Sequence, residues 1–229
     1  LSARQPGSCI KPLIDYAPAF DTGAYWPGSV INDHKFEDGP DNAGSYYGNV
    51  TIREALNRSL NTVAWQVLQN IGVDTGLSYL DAMKFQKITY VDNDVPALSI
   101  GGFTDGLRVV DMAKGYQTLA NNGVYDNKTC IIKIEDAGGN VVYEGENAGS
   151  KKVYEPETAY MITDILKGTF TATGGTGRGL GLSNMPAAGK TGTTNSNKDT
   201  WFCGFSKYYT MSVWVGYDTP KTLSDLYGS

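Results

Sequence analysis

The stretch at residues 4–12, RQPGSCIKP, most constrains how this chain can fold, because it sets a Pro-Gly pair directly before a helix start. Pro12 is tolerated only near the beginning of a helix, so the helix must start close to Ser8. Ser8 and Lys11 then lie one turn apart on one face. Unpaired N–H groups and the positive end of the helix dipole would surround the Ser8 hydroxyl. Such a position would stabilise an oxyanion, and a nearby amine could take the hydroxyl proton, as a nucleophilic serine requires. A serine and a lysine also fall three positions apart by chance in many chains, so this motif alone does not establish the chemistry.

Two later motifs carry residue types that could act with such a serine. Ser59 and Asn61 read S-x-N, and residues 190–193 read K-T-G-T. Apolar stripes on both sides of Ser59 predict helices, but side chains two positions apart on an unbroken helix diverge by roughly 200°. Both can face one cleft only if the helix breaks there, with Ser59, Asn61 or Thr62 capping the next segment. In isolation, Ser59 and Asn61 would be interpreted as ordinary helix caps.

The three motifs occur in the order S-x-x-K, S-x-N, K-T-G, a set typical of penicillin-binding proteins and β-lactamases. The segments RQPGSCIKP, TIREALNRSLNTVA and AGKTGTTNSNKDTWFCGFS resemble the transpeptidase domain of class A penicillin-binding proteins, and the resemblance covers nearly all 229 residues. It implies one domain over residues 1–229 with an α+β fold, in which helices flank an antiparallel β-sheet on both faces beside a mostly helical subdomain. It also implies that the first strands and a closing helix lie outside this sequence, in another segment or chain.

The resemblance further implies a D,D-transpeptidase of peptidoglycan synthesis. Ser8 would attack the bond between the last two D-alanines of a stem peptide, release D-Ala, and pass the acyl group to a neighbouring amine. Lys11 would be the candidate base, although the resemblance leaves open whether Lys11 or Lys190 is the base in acylation. Ser59 would relay a proton, and Asn61 would fix Lys11 and bind the substrate amide. The backbone N–H groups of Ser8 and Thr193 would form the oxyanion hole. The implied catalytic residues are Ser8, Lys11, Ser59, Asn61 and Lys190, and the implied substrate-binding residues are Thr191, Gly192 and Thr193.

Lys190 and the Thr191 and Thr193 hydroxyls would hold the terminal carboxylate of the substrate. Two lysines converging on one partly desolvated cleft would lower each other's pKa, which a lysine base requires. Because β-lactams mimic the D-Ala-D-Ala terminus, the implied partners are peptidoglycan stem peptides and β-lactam antibiotics. No cofactor or metal is implied. The implied location is the extracytoplasmic face of the bacterial cell membrane, with a membrane anchor upstream of this sequence.

Three alternatives share the same motifs. A D-Ala-D-Ala carboxypeptidase would transfer the acyl group to water, and a β-lactam sensor would only bind. A serine β-lactamase would need efficient deacylation, for which class A β-lactamases use an additional glutamate. Glu54 is the nearest acidic residue before Ser59, and a capping role accounts for it. The flanking sequences RQPGS and WFCGFS resemble those of the biosynthetic enzymes more than those of β-lactamases or sensors.

Charge and the rare residue types exclude other classes of function. A net charge of −5 and a pI near 4.9 argue against nucleic acid as a partner. Cys9, Cys130 and Cys203 contain no C-x-x-C pair and are predicted to be buried thiols. The single histidine, His34, lies in a polar stretch, where a solvated side chain is expected. One histidine also excludes a multi-histidine metal site.

Apolar spacing and turn residues in the rest of the chain predict further helices and a long loop. A buried helix is expected over residues 12–20, and Thr51 with Glu54 forms a capping box. Residues 21–50, rich in Gly, Asp, Asn and Pro, predict a long loop with little regular structure. Further helices are expected around Leu77, Leu80 and Met83, over 107–119, and over 158–167, where Gly168 would end the helix.

The last third of the chain is predicted to form strands. A hairpin is expected from Cys130 to Ile134 and from Val141 to Tyr143. Residues 168–181 hold six glycines and predict a mobile loop near the cleft. Strands are expected at 185–194, 201–205 and 209–217, with the last two antiparallel beside the Lys190 strand. Gly189 and Gly192 would let another chain approach this strand closely, as a peptide substrate pairing edge to edge would require.

Overall fold

The computed structural model describes residues 2–89, 92, 94–127, 131–145, 149–194, 196–224 and 226. Within these residues the helices are α1 (Ala17–Asp21), α2 (Ile52–Arg58), α3 (Asn61–Ile71), α4 (Val73–Ala82), α5 (Val95–Ser99), α6 (Val109–Ala120) and α7 (Pro156–Thr171). The strands are β1 (Ala3–Arg4), β2 (Val30–Asp33), β3 (Gly48–Thr51), β4 (Leu107–Arg108), β5 (Val124–Asp126), β6 (Lys133–Glu135), β7 (Val141–Glu144), β8 (Ser150–Lys152), β9 (Ala187–Thr193), β10 (Asp199–Ser206) and β11 (Thr210–Gly216). The α+β fold class is therefore confirmed.

A continuous helical segment from Gly7 to Asp21, called here the central helix, runs through the core. It begins as a 3-10 turn (Gly7–Ile10), widens into a π-helical turn (Pro12–Tyr16) and ends as α1. All residues from 9 to 20 are buried, which confirms the predicted buried helix. Two buried tyrosine hydroxyls donate to carbonyls of this irregular helix: Tyr116 to Cys9 O at 2.8 Å and Tyr154 to Leu13 O at 3.0 Å. These bonds satisfy buried backbone groups and fix the helix in place.

Strands β9, β10 and β11 form an antiparallel sheet in the order β11-β10-β9, as predicted. Lys190 is paired with Cys203, and Gly192 with Trp201. One face of this sheet packs against α6 and the first turn of the central helix, and α7 packs along β9. On the other face, Met211, Val213 and Val215 of β11 remain substantially exposed. The sheet thus places Lys190 in the core beside the central helix.

Helix α7 is longer than predicted. It continues through Gly168 to Thr171 because Gly168 packs closely against α2, where a Cβ atom would lie 2.5 Å from Asn57 Nδ2. The expectation that Gly168 ends the helix was therefore wrong. The glycine serves a close helix–helix approach, a long-range requirement that sequence spacing does not reveal.

The predicted loop over residues 21–50 contains two short strands, one in its middle and one at its end. Strand β2 pairs with β3 in antiparallel register, from Val30 opposite Thr51 to Asp33 opposite Gly48. Each strand has four residues, too few for a clear alternation of apolar and polar side chains. His34 follows β2, is exposed, and packs its ring against Phe36 at 4.1 Å, as expected for a solvated side chain.

Other predicted features hold in part. The hairpin is present as β6 and β7, although Cys130 at its expected start lies outside the described residues. Cys9 and Cys203 are buried free thiols, as predicted. Thr51 accepts a hydrogen bond from Glu54 N at 3.2 Å, but the Glu54 carboxylate pairs with Arg58 Nε at 3.0 Å and does not return to the cap. No helix among the described residues has the length and apolar character needed to span a membrane.

Candidate active site

Ser8 and Cys9 point to different surroundings. Ser8 is partly exposed, and its hydroxyl makes no hydrogen bond to any described residue. Cys9 is fully buried, with its thiol donating to Lys190 O at 3.1 Å. Neighbouring residues of a helix point about 100° apart, so only one of the two can face the cleft. Because Ser8 is partly exposed and Cys9 is fully buried, Ser8 is the residue that faces the cleft.

Lys11 lies one turn beyond Ser8 and is fully buried. Its Nζ donates to Ser59 O at 2.7 Å and to Asn61 Oδ1 at 2.6 Å, and lies 3.4 Å from Ser59 Oγ. Burial lowers the pKa of the Lys11 ammonium well below its ordinary value, and the charge of Lys190 lowers it further. A neutral amine has two protons, so the two short contacts can use both and leave the lone pair available as a base.

Lys190 reaches the same point from the sheet. Its buried Nζ donates to Ser59 Oγ at 2.8 Å and to Thr191 O at 3.0 Å. Burial lowers the pKa of Lys190 to about 8. Two lysines from different elements therefore meet at one hydroxyl, and burial lowers the pKa of both, which favours the neutral amine that a general base requires.

Ser59 sits where the helix breaks, as predicted. It ends α2 in the left-handed conformation, with φ +60° and ψ +36°, and α3 begins at Asn61. This break turns both side chains toward Lys11. However, none of Ser59, Asn61 and Thr62 caps α3 with its own side chain, so the predicted capping was wrong.

The amides at the start of α3 are capped by Asn42, which sequence reasoning missed. Asn42 Oδ1 accepts from Asn61 N at 2.8 Å and from Thr62 N at 3.3 Å. Its Nδ2 donates to Asp33 Oδ1 at 2.8 Å, and Asp33, which is fully buried, also accepts from the Thr62 hydroxyl. The polar residues around Asn42 are visible in the sequence, but the amide groups that Asn42 caps lie about twenty residues further along the chain.

The predicted substrate-binding strand lies beside the central helix. The Thr191 hydroxyl donates to Thr176 Oγ1 at 2.6 Å, which places the glycine-rich loop next to the cleft as predicted. A Cβ atom on Gly7, which has φ +52°, would lie 3.1 Å from Thr193 O. The backbone of Thr193 is therefore close to the residue that precedes Ser8.

The two strand glycines accommodate parts of this chain itself. A Cβ atom on Gly192 would lie 2.7 Å from Pro6 O and 2.9 Å from Cys9 Sγ. On Gly189 it would lie 2.6 Å from the Phe202 ring. Gly192 thus lets the sheet approach the start of the central helix, and Gly189 makes room for an aromatic side chain.

Comparison with known proteins identifies the family. The family model described as the penicillin binding protein transpeptidase domain matches residues 2–225. Penicillin-binding protein 1A of Clostridium acetobutylicum is 38% identical over 96% of this chain and 29% of its own length. Penicillin-binding protein 4 of Bacillus subtilis is 35% identical over 98% of this chain and 36% of its own length. The chain therefore spans about a third of these relatives.

Solved structures share the fold. The penicillin-binding protein PonA1 of Mycobacterium tuberculosis has a TM-score of 0.80 at 24% identity, covering 99% of this chain and 65% of that one. The complex of PonA1 with penicillin V has a TM-score of 0.79 at 23% identity over the same shares. With the family model matching almost the whole sequence, these findings establish that the chain belongs to the penicillin-binding protein transpeptidase domain family.

Proposed function

We propose that this chain catalyses D,D-transpeptidation of peptidoglycan stem peptides through an acyl-enzyme on Ser8, and that β-lactams acylate the same serine. The observation that carries the proposal is the meeting of Lys11 and Lys190 at the Ser59 hydroxyl, at 3.4 and 2.8 Å, one helical turn from Ser8. The binding of penicillin V by PonA1 supports it by analogy of fold.

In the acylation step, Lys11 takes the proton of the Ser8 hydroxyl as its oxygen attacks the carbonyl carbon of the penultimate D-alanine. The backbone N–H groups of Ser8 and Thr193 stabilise the oxyanion, consistent with the close approach of Gly7 to Thr193. Ser59, between the two lysines, passes a proton to the leaving nitrogen, and terminal D-Ala departs. An amine of a second stem peptide then attacks the ester and restores the Ser8 hydroxyl.

Asn61 holds Lys11 in place and contributes to substrate binding. Its Oδ1 accepts from Lys11, while one proton of its Nδ2 is donated to Asp41 O at 2.8 Å. The second Nδ2 proton would hydrogen-bond to the carbonyl oxygen of the substrate amide. Lys190 and the Thr193 hydroxyl receive the terminal carboxylate, and the Thr191 hydroxyl joins them by turning its proton away from Thr176 Oγ1.

The environment of Glu54 argues against the β-lactamase reaction. Its carboxylate is engaged by Arg58, so it is not positioned as a free base for deacylating water. A β-lactam sensor would keep the same lysines and Ser59, so turnover of a D-Ala-D-Ala peptide separates it from the enzyme.

The test is the intact mass of the protein after incubation with benzylpenicillin. Wild type should gain one lasting adduct, Ser8→Ala none, and Cys9→Ala should keep the adduct because its thiol faces the sheet. An adduct on Ser8→Ala would refute Ser8 as the nucleophile, and rapid penicillin loss without an adduct would indicate a β-lactamase. Adding a D-Ala-D-Ala peptide with and without an acceptor amine then separates transpeptidation from carboxypeptidation.

A further inference from the structure

Thr176 brings a hydroxyl group to the Lys190 strand from outside the sheet. It lies in the part of the glycine-rich stretch that follows α7, and its Oγ1 is 2.6 Å from Thr191 Oγ1 on β9. Thr176 is partly exposed, whereas Thr191 is buried, with 7% of its surface exposed. Within the described part of the chain, neither hydroxyl makes a second hydrogen bond. Thr176 is therefore placed to act on a hydroxyl that the proposed reaction uses.

The loop around Thr176 is fixed by contacts that do not involve its hydroxyl. The backbone N–H of Thr176 donates to Asn57 O of α2 at 3.3 Å, and Gly177 N donates to Thr169 O of α7 at 3.0 Å. Gly175 lies so close to α7 that a Cβ atom there would be 2.6 Å from Thr169 O. Since these contacts hold the loop against two helices, the Thr176 hydroxyl is not needed to anchor it. A function at the substrate site explains the hydroxyl better.

The chemistry of two hydroxyl groups indicates what that function is. A hydroxyl donates one hydrogen bond and accepts two, so the pair can be linked in either direction. In the structure Thr191 donates and Thr176 accepts. A carboxylate can only accept, so binding it through Thr191 uses the Thr191 proton and ends the bond in this direction.

The bond between the two hydroxyls can then form in the opposite direction. The proton of Thr176 has no acceptor among the described residues, and Thr191 Oγ1 has a free lone pair once its own proton points to the carboxylate. The result is a chain from Thr176 through Thr191 to the carboxylate. In such a chain each hydrogen bond polarises and strengthens the next.

We propose that Thr176 is a positioning residue for the substrate carboxylate: it donates to Thr191 Oγ1 while the Thr191 hydroxyl donates to the carboxylate. Thr176 thereby orients the Thr191 hydroxyl toward the ligand and favours ligands that carry this carboxylate. The inference rests on the proposed function, in which β9 receives the terminal carboxylate of a stem peptide or the carboxylate of a β-lactam.

The experiment compares acylation by benzylpenicillin with acylation by its methyl ester, whose ester group carries no charge. Both compounds react through the same β-lactam ring, so the ratio of their second-order rate constants, measured by intact mass, isolates the contribution of the carboxylate. Thr176→Val keeps the shape of the side chain and removes the hydroxyl. Its rate with benzylpenicillin should fall about fivefold, which corresponds to one hydrogen bond of about 1 kcal/mol. The rate with the ester should change little, so the ratio should fall by a similar factor.

Two further variants separate positioning from a structural effect. Thr176→Ser keeps the hydroxyl and should restore the wild-type ratio. Thr173→Val is the matched control, because Thr173 lies in the same loop, is exposed, and makes no side-chain hydrogen bond to a described residue. Its ratio should equal that of wild type.

A displaced loop or a misplaced Ser8 would slow both compounds equally, so an unchanged ratio in Thr176→Val overturns the inference. A ratio in Thr176→Ser as low as in Thr176→Val, or the same fall in Thr173→Val, also overturns it. If wild type is acylated by neither compound, the proposed function fails and the inference fails with it. If wild type is acylated and Thr176→Val keeps the wild-type ratio, the inference alone is wrong.

Discussion

Replacing Asn42 by alanine should disturb the active site, although Asn42 lies about twenty residues from Asn61 in the sequence. The substitution removes the acceptor of Asn61 N and Thr62 N, a capping loss of about 1 kcal/mol. It also removes one donor from the buried carboxylate of Asp33, a loss of about 2 kcal/mol for a bond to a charged group. The free energy of unfolding should therefore fall by about 3 kcal/mol, and the melting temperature by roughly 6–12 °C.

Thermal unfolding followed by circular dichroism measures this effect, and acylation by a fluorescent penicillin reports its consequence. Acylation should slow at temperatures where the variant is still folded, because α3 carries Asn61, which holds Lys11 at 2.6 Å. Asn32→Ala is the control: this asparagine is exposed, and its side chain makes no hydrogen bond to any described residue. Its effect should stay within about 0.5 kcal/mol. A melting temperature for Asn42→Ala equal to that of Asn32→Ala would refute the capping argument.

Two further substitutions test the strand that carries Lys190. Lys190→Met should abolish acylation, and below pH 8 it should raise the free energy of unfolding by up to about 3 kcal/mol. The reason is that folding lowers the pKa of Lys190 from 10.5 to about 8, so the charged lysine destabilises the folded protein. This destabilisation by the charged lysine is present below pH 8 and vanishes above about pH 10.5. The difference in melting temperature between Lys190→Met and wild type should therefore disappear as the pH rises from 8 to 10.5, and a difference that stays constant would contradict the charge argument. Gly192→Ala should lower both the melting temperature and the acylation rate, because its Cβ would lie 2.7 Å from Pro6 O. Gly28→Ala, where no atom lies within 4 Å, should change neither, and equal effects of both would count against a steric cause.

The sequence by itself determined the elements whose signals are local. Pro12 and the apolar run after it predicted the buried central helix, and alternating β-rich residues predicted β10 and β11 beside the Lys190 strand. The break at Ser59 followed from the 100° step of a helix, since two residues two positions apart can face one cleft only across a break. The family followed from the order of the three motifs and from the residues that flank them. The catalytic roles of the motif residues stay predictions.

The tertiary structure decided what depends on partners distant in the chain. Gly168 continues α7 because α2 packs against it, although a helix-ending glycine was expected. Asn42 caps α3 although nothing near it in sequence marks it as a cap, and Gly192 admits the start of the central helix, which its place in the sequence does not reveal. Periodicity and turn residues report on a few neighbouring positions, whereas caps, close approaches and buried charges are set by which elements meet.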